Sequence, residues 1–296
     1  MDSNLNKDER QGLPSASGIE QLKLCPGSFN YQKSFTEVKS GDASEGTIRH
    51  DLIEQVIRGQ MDISDIEDDA QADCVERSLV LLDNIESEIG VGKYQTQKLE
   101  ERLWVRANDQ NIYSAKYDLL REYENGIFLL VDWKTLYGEH TRANDNIQLL
   151  SQAIAVHRNT PAKINKMYCA LVEPFPSPSY SLVEYSEDRL ELGYDWVRKV
   201  IEEANENAPR IPGAKQCKFC KALSVCPESR TVITKVLELK PNEISPALLS
   251  QLMEVAQLAE KWASGVKSRV KEMLLEDEGV DGWQLRGSGS IKSIDS

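Results

Sequence analysis

The apolar positions of this chain change period several times, and each change predicts an element. Ile48, Leu52, Ile53, Val56 and Ile57 recur at helical spacing and predict an amphipathic helix over residues 44–58, with a second helix over 65–88. Strand character follows over 97–106, 112–121 and 127–134. Gly126-Ile127-Phe128-Leu129-Leu130-Val131 opens a continuous apolar run, as expected of a central strand covered on both faces. Helical spacing returns over 144–158, strands over 165–173 and 180–185, and a helix over 187–206. Upstream, Ser17-Gly18-Ile19-Glu20 has capping-box spacing and predicts a short helix ending near Cys25-Pro26-Gly27. Downstream, Ala208-Pro209-Arg210-Ile211-Pro212-Gly213 breaks the pattern. A long helix or helical pair over 245–276 is capped by Ser245 before Pro246, and a last short strand falls at 282–286. Residues 1–13 and 287–296 read as disordered or flexible. The sum is an α/β chain with a central mixed sheet flanked by helices. A core over 14–230 carries a helical C-terminal extension over 231–296.

The loop Glu124-Asn125-Gly126 sets a hairpin register, with Gly126 where a left-handed backbone is needed. It pairs Tyr123 with Ile127, and therefore Asp118 with Asp132. Directly opposed carboxylates repel, and a bound divalent cation is a reason for them. Lys134 lies two residues past Asp132 and so points to the same face. Hard oxygen donors suit Mg²⁺ or Mn²⁺, which polarise phosphoryl oxygens, and an adjacent lysine stabilises developing negative charge. Asp-x-Lys by itself is common on solvated faces; here it ends a buried run, where unpaired charge is costly. Gln148 and Gln152 share one helix face, either as a polar stripe or as amides that contact substrate phosphates or hold Lys134. A lone His50 beside a helix reads as structural on the residues alone, and Glu45 as a helix N-terminal charge.

Composition narrows the picture. The chain has 296 residues and a formal net charge of −13, which argues against a broad surface coating nucleic acid but allows a narrow basic groove. Lys116, Arg121, Arg142 and Lys166 are candidate phosphate contacts, each equally readable as surface solvation. No apolar run approaches a bilayer span and the N-terminus has no signal-like apolar region, so a cytoplasmic protein, in a bacterial host, is expected.

Of six cysteines, Cys74 and Cys169 sit alone in apolar patterns and read as buried small hydrophobes. Cys217, Cys220 and Cys226 form a compact group followed by Pro227, and Cys25 is the best candidate for a fourth ligand. Four thiolates suit Zn²⁺ or an iron–sulfur cluster, and spacing does not choose between them.

The order His50, Asp118, Asp132-Trp133-Lys134, Gln148 resembles the RecB-like nucleases of the PD-(D/E)XK superfamily, with Gly46-Thr47-Ile48-Arg49-His50 similar to their first motif. The match departs at Gln-x-x-x-Tyr, which here reads Gln148-Leu149-Leu150-Ser151-Gln152. The resemblance implies a restriction-endonuclease-like core. In it His50, Asp118, Asp132 and the Trp133 carbonyl ligate metal and Lys134 is catalytic. One cysteine before the first motif and three after the core resemble the iron–sulfur branch, implying a [4Fe–4S] cluster on Cys25, Cys217, Cys220 and Cys226; within that branch Leu13-Pro14-Ser15-Ala16-Ser17, Cys25-Pro26-Gly27-Ser28 and the C-terminal extension look most like phage and prophage members. The implied activity is a DNA exonuclease in phage recombination or processing, with a single-strand annealing protein as partner and a homo-oligomer as one possible assembly. A non-catalytic DNA-end or partner-binding protein on the same fold and a CRISPR spacer-processing nuclease are the alternatives.

Overall fold

The computed structural model describes residues 10–35, 41–138, 140–239, 245–286 and 291–293. Helices α1 (Ile19–Leu24), α2 (Ser28–Gln32), α3 (Gly41–Ile57) and α4 (Asp69–Ile89) come first. Strands β1 (Thr96–Leu99), β2 (Arg102–Ala107), β3 (Gln110–Lys116), β4 (Leu119–Tyr123) and β5 (Ile127–Trp133) follow. Then come α5 (Ile147–Asn159), β6 (Lys166–Glu173), β7 (Ser179–Tyr185), α6 (Glu187–Glu203), α7 (Pro227–Leu237), α8 (Pro246–Leu275), β8 (Trp283–Leu285) and β9 (Ile291–Ser293). The chain divides into two units: Met1–Glu20 with Lys39–Glu202, and Gln21–Val38 with Glu203–Ser296.

The first unit is built on a five-stranded mixed sheet in the order β1-β4-β5-β6-β7. Only β5 and β6 run parallel, joined by the α5 crossover, and the other pairs are antiparallel. This is the α/β architecture that the alternating periods predict. All of β5 after Ile127 is buried, as its unbroken apolar run requires. Leu129, Val131 and Trp133 join Val75, Leu81, Leu82 and Ile85 of α4 in one core cluster. Asp132, on the opposite pleat, faces Gln148 and Gln152 of α5. The turn before β5 has Asn125 and Gly126 both left-handed, at φ 62° and 67°. A Cβ at Gly126 would meet the Lys163 carbonyl at 2.5 Å, so glycine is required there.

Three local expectations change. Residues 97–106 and 112–121 are each split in two, at Glu100-Glu101 and at Tyr117-Asp118. Both interruptions lie where the chain leaves the main sheet for the separate β2–β3 ribbon. Ser17 lies inside a short 3-10 turn and its hydroxyl bonds Ser15 at 3.0 Å, so the helix begins at Ile19. The last strand at 283–285 is joined by Ile291–Ser293 from the stretch expected to be flexible; the rest of that stretch, and most of 1–13, lie outside the described residues.

In the second unit, α8 begins with the predicted cap: the Ser245 hydroxyl accepts from the Leu248 amide at 3.2 Å, with Pro246 next. Its Leu258 and Trp262 pack with Cys217, Leu223, Val232 and Ile233. The Trp262 indole donates to the Ser224 carbonyl at 3.2 Å. Among the described residues no helix is long and apolar enough to cross a membrane.

Candidate metal sites

The hairpin register is as expected, running from Tyr123↔Ile127 to Leu119↔Val131. Asp118 and Asp132 would be the next pair, but β4 begins at Leu119 and Asp118 sits in a bend just before it. The Asp118 carboxylate accepts from the Trp133 amide at 2.7 Å and stands 3.5 Å from His50 Nδ1. The two aspartates therefore divide their work instead of lying face to face in the ladder.

Glu100 completes the first group. One ligand atom from each of His50, Glu100 and Asp118 lies within 4.8 Å of the others. Glu100 has φ 57°, left-handed backbone that a non-glycine residue adopts at a cost, and its amide donates to the Asp118 carbonyl at 3.1 Å. The strained turn thus aims a carboxylate at Asp118. Burial raises the Glu100 carboxyl above its ordinary range; the Lys116 ammonium, paired with it, opposes this and the Asp118 charge adds to it. Burial alone would lower the His50 imidazole, but the Asp118 charge and hydrogen bond, with Asp132 and Glu100 behind, push it up to about 9. In the metal-free protein an imidazolium supplies the positive charge that these carboxylates demand.

Asp132 is 2% exposed and its Oδ1 accepts from Gln148 Nε2 at 2.6 Å and Gln152 Nε2 at 3.0 Å. Its Oδ2 lies 2.5 Å from Lys134 Nζ, an ion pair outside hydrogen-bond geometry, and has no hydrogen-bond partner among the described residues. Gln148 Oε1 accepts from Lys134 Nζ at 3.2 Å, so the amide bridges acid and base and its orientation is fixed by them. Gln152 Nε2 also reaches the Lys116 carbonyl at 3.0 Å. Burial would lower the Lys134 ammonium, but Asp132 first and then Asp118 and Glu173 raise it above the usual lysine value. Lys134 is thus a held cation.

The candidate phosphate contacts separate. Lys116 stands at this group. Arg121 is 9% exposed, bound to Glu86 at 2.6 Å and Gln97 at 2.9 Å, and lies over the Tyr94 ring. Its guanidinium fastens β4 to α4 and is closed to a ligand. Lys166 pairs with Ile127, at the opposite end of β5 from Asp132, beside Tyr168 and Glu184. Arg142 is exposed before α5. Glu100 is the member that sequence reasoning missed: Leu99-Glu100-Glu101-Arg102 reads as uninterrupted strand, and only the break in it marks the residue.

The four grouped cysteines all fall in the second unit. The Ile211 amide donates to Cys25 Sγ at 3.1 Å and the Gly213 amide to Cys217 Sγ at 3.5 Å, while the Ala222 amide favours the Cys220 thiolate. Burial raises these three thiols, Cys220 to about 12, and the neighbouring sulfurs raise them further. Ser28 and Ser229 are 3% and 0% exposed, and neither hydroxyl has a partner in hydrogen-bond geometry among the described residues. Ser28 stands where it favours the Cys25 thiolate, and Ser229 the Cys217 thiolate. Hydroxyls buried beside sulfur are better satisfied by thiolates than by thiols, so these residues could hold a metal, although here the Cys226 thiol donates to Glu228 at 3.4 Å. Gly27 lets the segments meet: its amide donates to the Pro209 carbonyl at 2.9 Å, and a Cβ there would lie 2.4 Å from the Ala208 carbonyl oxygen. Cys74 and Cys169 are fully buried, as expected of core residues; burial pushes the Cys74 thiol up to about 11.

Fold and site together define an α/β protein with a carboxylate–histidine group at the end of a central strand and a separate four-cysteine group. The chain belongs to the family described as "Protein of unknown function (DUF2800)", which matches residues 12–294. A comparison with curated proteins returned no match. Among solved structures the chain is similar to a protein named as a candidate exonuclease from Eubacterium rectale (14% identity, TM-score 0.44, 71% of this chain and 90% of that one). It is also similar to the protein SSO0001 (14% identity, TM-score 0.36, 75% and 89%). A third is the alkaline exonuclease LHK-Exo from Laribacter hongkongensis (12% identity, TM-score 0.30, 65% and 88%).

Proposed function

We propose that the chain is a divalent-metal-dependent DNA exonuclease whose chemistry is carried by His50, Glu100, Asp118, Asp132 and Lys134. One observation carries the reading: two carboxylates and an imidazole converge within 4.8 Å, and the held Lys134 ammonium pairs with the buried Asp132 beside them. Mg²⁺ or Mn²⁺ would be held by His50, Glu100 and Asp118, with Asp132 as the adjoining acid. Such a cation polarises a phosphoryl oxygen and acidifies bound water. The Lys134 ammonium, favoured by its pairing with Asp132, would stabilise negative charge developing on phosphate. Gln148 and Gln152 hold Asp132 and keep the ammonium in place. His50 must release its proton before its nitrogen can take a cation. The motif resemblance supports DNA as the substrate and the reading of phage-type DNA processing within a bacterial cytoplasm, with an annealing protein as partner.

The second group is proposed to hold a [4Fe–4S] cluster on Cys25, Cys217, Cys220 and Cys226. Amides and hydroxyls directed at the sulfurs support a thiolate centre. Four thiolates also suit a single tetrahedral Zn²⁺, and the iron–sulfur assignment rests on the motif resemblance. Both sites are testable. End-labelled duplex DNA should be degraded only with Mg²⁺ or Mn²⁺, and Asp118→Ala should slow this by at least about 100-fold. Equal rates would remove the assignment. Anaerobically purified protein should be brown with visible absorption; colourless protein carrying zinc would replace iron–sulfur by zinc.

A further inference from the structure

Tyr137 is 68% exposed. It follows Lys134 by three residues, so their Cα atoms are at most about 11 Å apart. Its ring pairs with Phe175, with centroids 5.3 Å apart and planes inclined by 33°. Two guanidiniums back this pair: Arg49 lies 5.2 Å and Arg77 5.3 Å from the Phe175 centroid. Both arginines are fixed from behind. Arg49 is 8% exposed, donates to the Thr135 carbonyl at 2.6 Å and is bound to Glu45 at 3.0 Å; Arg77 is bound to Asp73 at 2.7 Å. Thr135 adjoins Lys134 and Arg49 adjoins His50, so two of the segments that contribute to the aromatic pair also contribute Lys134 and His50.

A half-buried ring held by two anchored cations, with an exposed ring inclined against it, offers an open aromatic face. From this we infer that Tyr137 and Phe175 form a stacking site for one unpaired nucleobase at the end of the DNA strand. The inference rests on the nuclease reading and sharpens it, because it makes an unpaired terminal base the preferred substrate end. Every base offers a π face, so such a site selects for an unstacked nucleotide without selecting sequence. The anchored guanidiniums lie against Phe175 and add cationic character to the platform.

The test uses a single-stranded oligonucleotide with a terminal 2-aminopurine, titrated with the full chain in Ca²⁺. Binding should quench the probe, and an oligonucleotide abasic at that terminal position should bind about tenfold more weakly. Tyr137→Ala should lose the quench and the preference for a base over an abasic end, and Tyr137→Phe should keep both. An unquenched probe with the parent protein, or an unchanged base-to-abasic ratio in Tyr137→Ala, would overturn the site. Degradation in Mg²⁺ is scored separately. Quenching without degradation would refute the nuclease reading and leave the base site standing, and degradation without quenching would do the reverse.

Discussion

Replacing Lys134 by methionine keeps most of the stem and removes the charge, and its effect on stability follows from the surroundings. Asp132 is 2% exposed and Lys134 has a side-chain exposure of 19%, so the pair is close to fully buried. Removing one partner of a buried pair costs about 3–5 kcal/mol when the other charge is left alone. Asp132 is not left alone, because Gln148 and Gln152 still donate to its Oδ1. The partial exposure of Lys134 also weakens the pair. A loss of about 2–3 kcal/mol in the metal-free protein is expected. For a unit of roughly 150–250 residues this lowers Tm by about 4–12 °C. Mg²⁺ should narrow the gap, since a cation restores positive charge near the orphaned carboxylate. Thermal melts of parent and Lys134→Met in EDTA and in Mg²⁺ give both numbers. A variant as stable as the parent in EDTA would mean that Asp132 does not need the ammonium, and the account of that pair would fail.

The remaining predictions concern residues outside the sequence motifs. Glu100→Gln keeps the shape of the turn but removes one hard anionic donor, so Mn²⁺ affinity measured by calorimetry should fall at least about tenfold, with an unchanged circular dichroism spectrum. Undiminished affinity would return the ligand role to Asp132. Gly27→Ala places a methyl 2.4 Å from a backbone oxygen that cannot move aside cheaply. It should destabilise the protein by about 1–3 kcal/mol and lower the metal retained per chain, read by elemental analysis of purified protein.

Much of the first unit was legible because its signals are local. The unbroken run after Gly126 had to be a strand covered on both faces, and the left-handed turn set a register that the structure keeps. The helical spacing of Gln148 and Gln152 put both amides on the face of α5 that meets Asp132. What was not legible depends on partners distant in sequence. Arg121 reads as a surface cation because nothing nearby reveals Glu86, which is 35 positions away and closes over it. Glu100 is held in a strained backbone by Asp118, and a strained residue carries no compositional mark when it is not glycine. Asp118 itself sits one residue outside the ladder, and no periodicity distinguishes the last residue of a strand from the first of a bend.

The two groups differ in how the fold prepares them for positive charge. Around the carboxylates the protein supplies its own cations: His50 is held protonated to about pH 9, and Lys116 and Lys134 are paired with Glu100 and Asp132. A divalent ion must compete with these charges and with a proton, which suits an ion that enters and leaves with substrate. Around the thiols, the Ile211 and Gly213 amides and the Ser28 and Ser229 hydroxyls address sulfur with neutral donors. At the fourth cysteine the Cys226 thiol donates to Glu228 Oε2 at 3.4 Å, and that carboxylate is also bound to Arg210 at 2.6 and 2.8 Å. Neutral donors stabilise thiolates without competing for a metal, so a metal held as proposed on these cysteines would be retained. Chelation should therefore separate the two: brief EDTA treatment should silence any nuclease activity reversibly, while the metal on the cysteines stays with the folded chain. Loss of both metals together, at the same chelator concentration, would contradict this division.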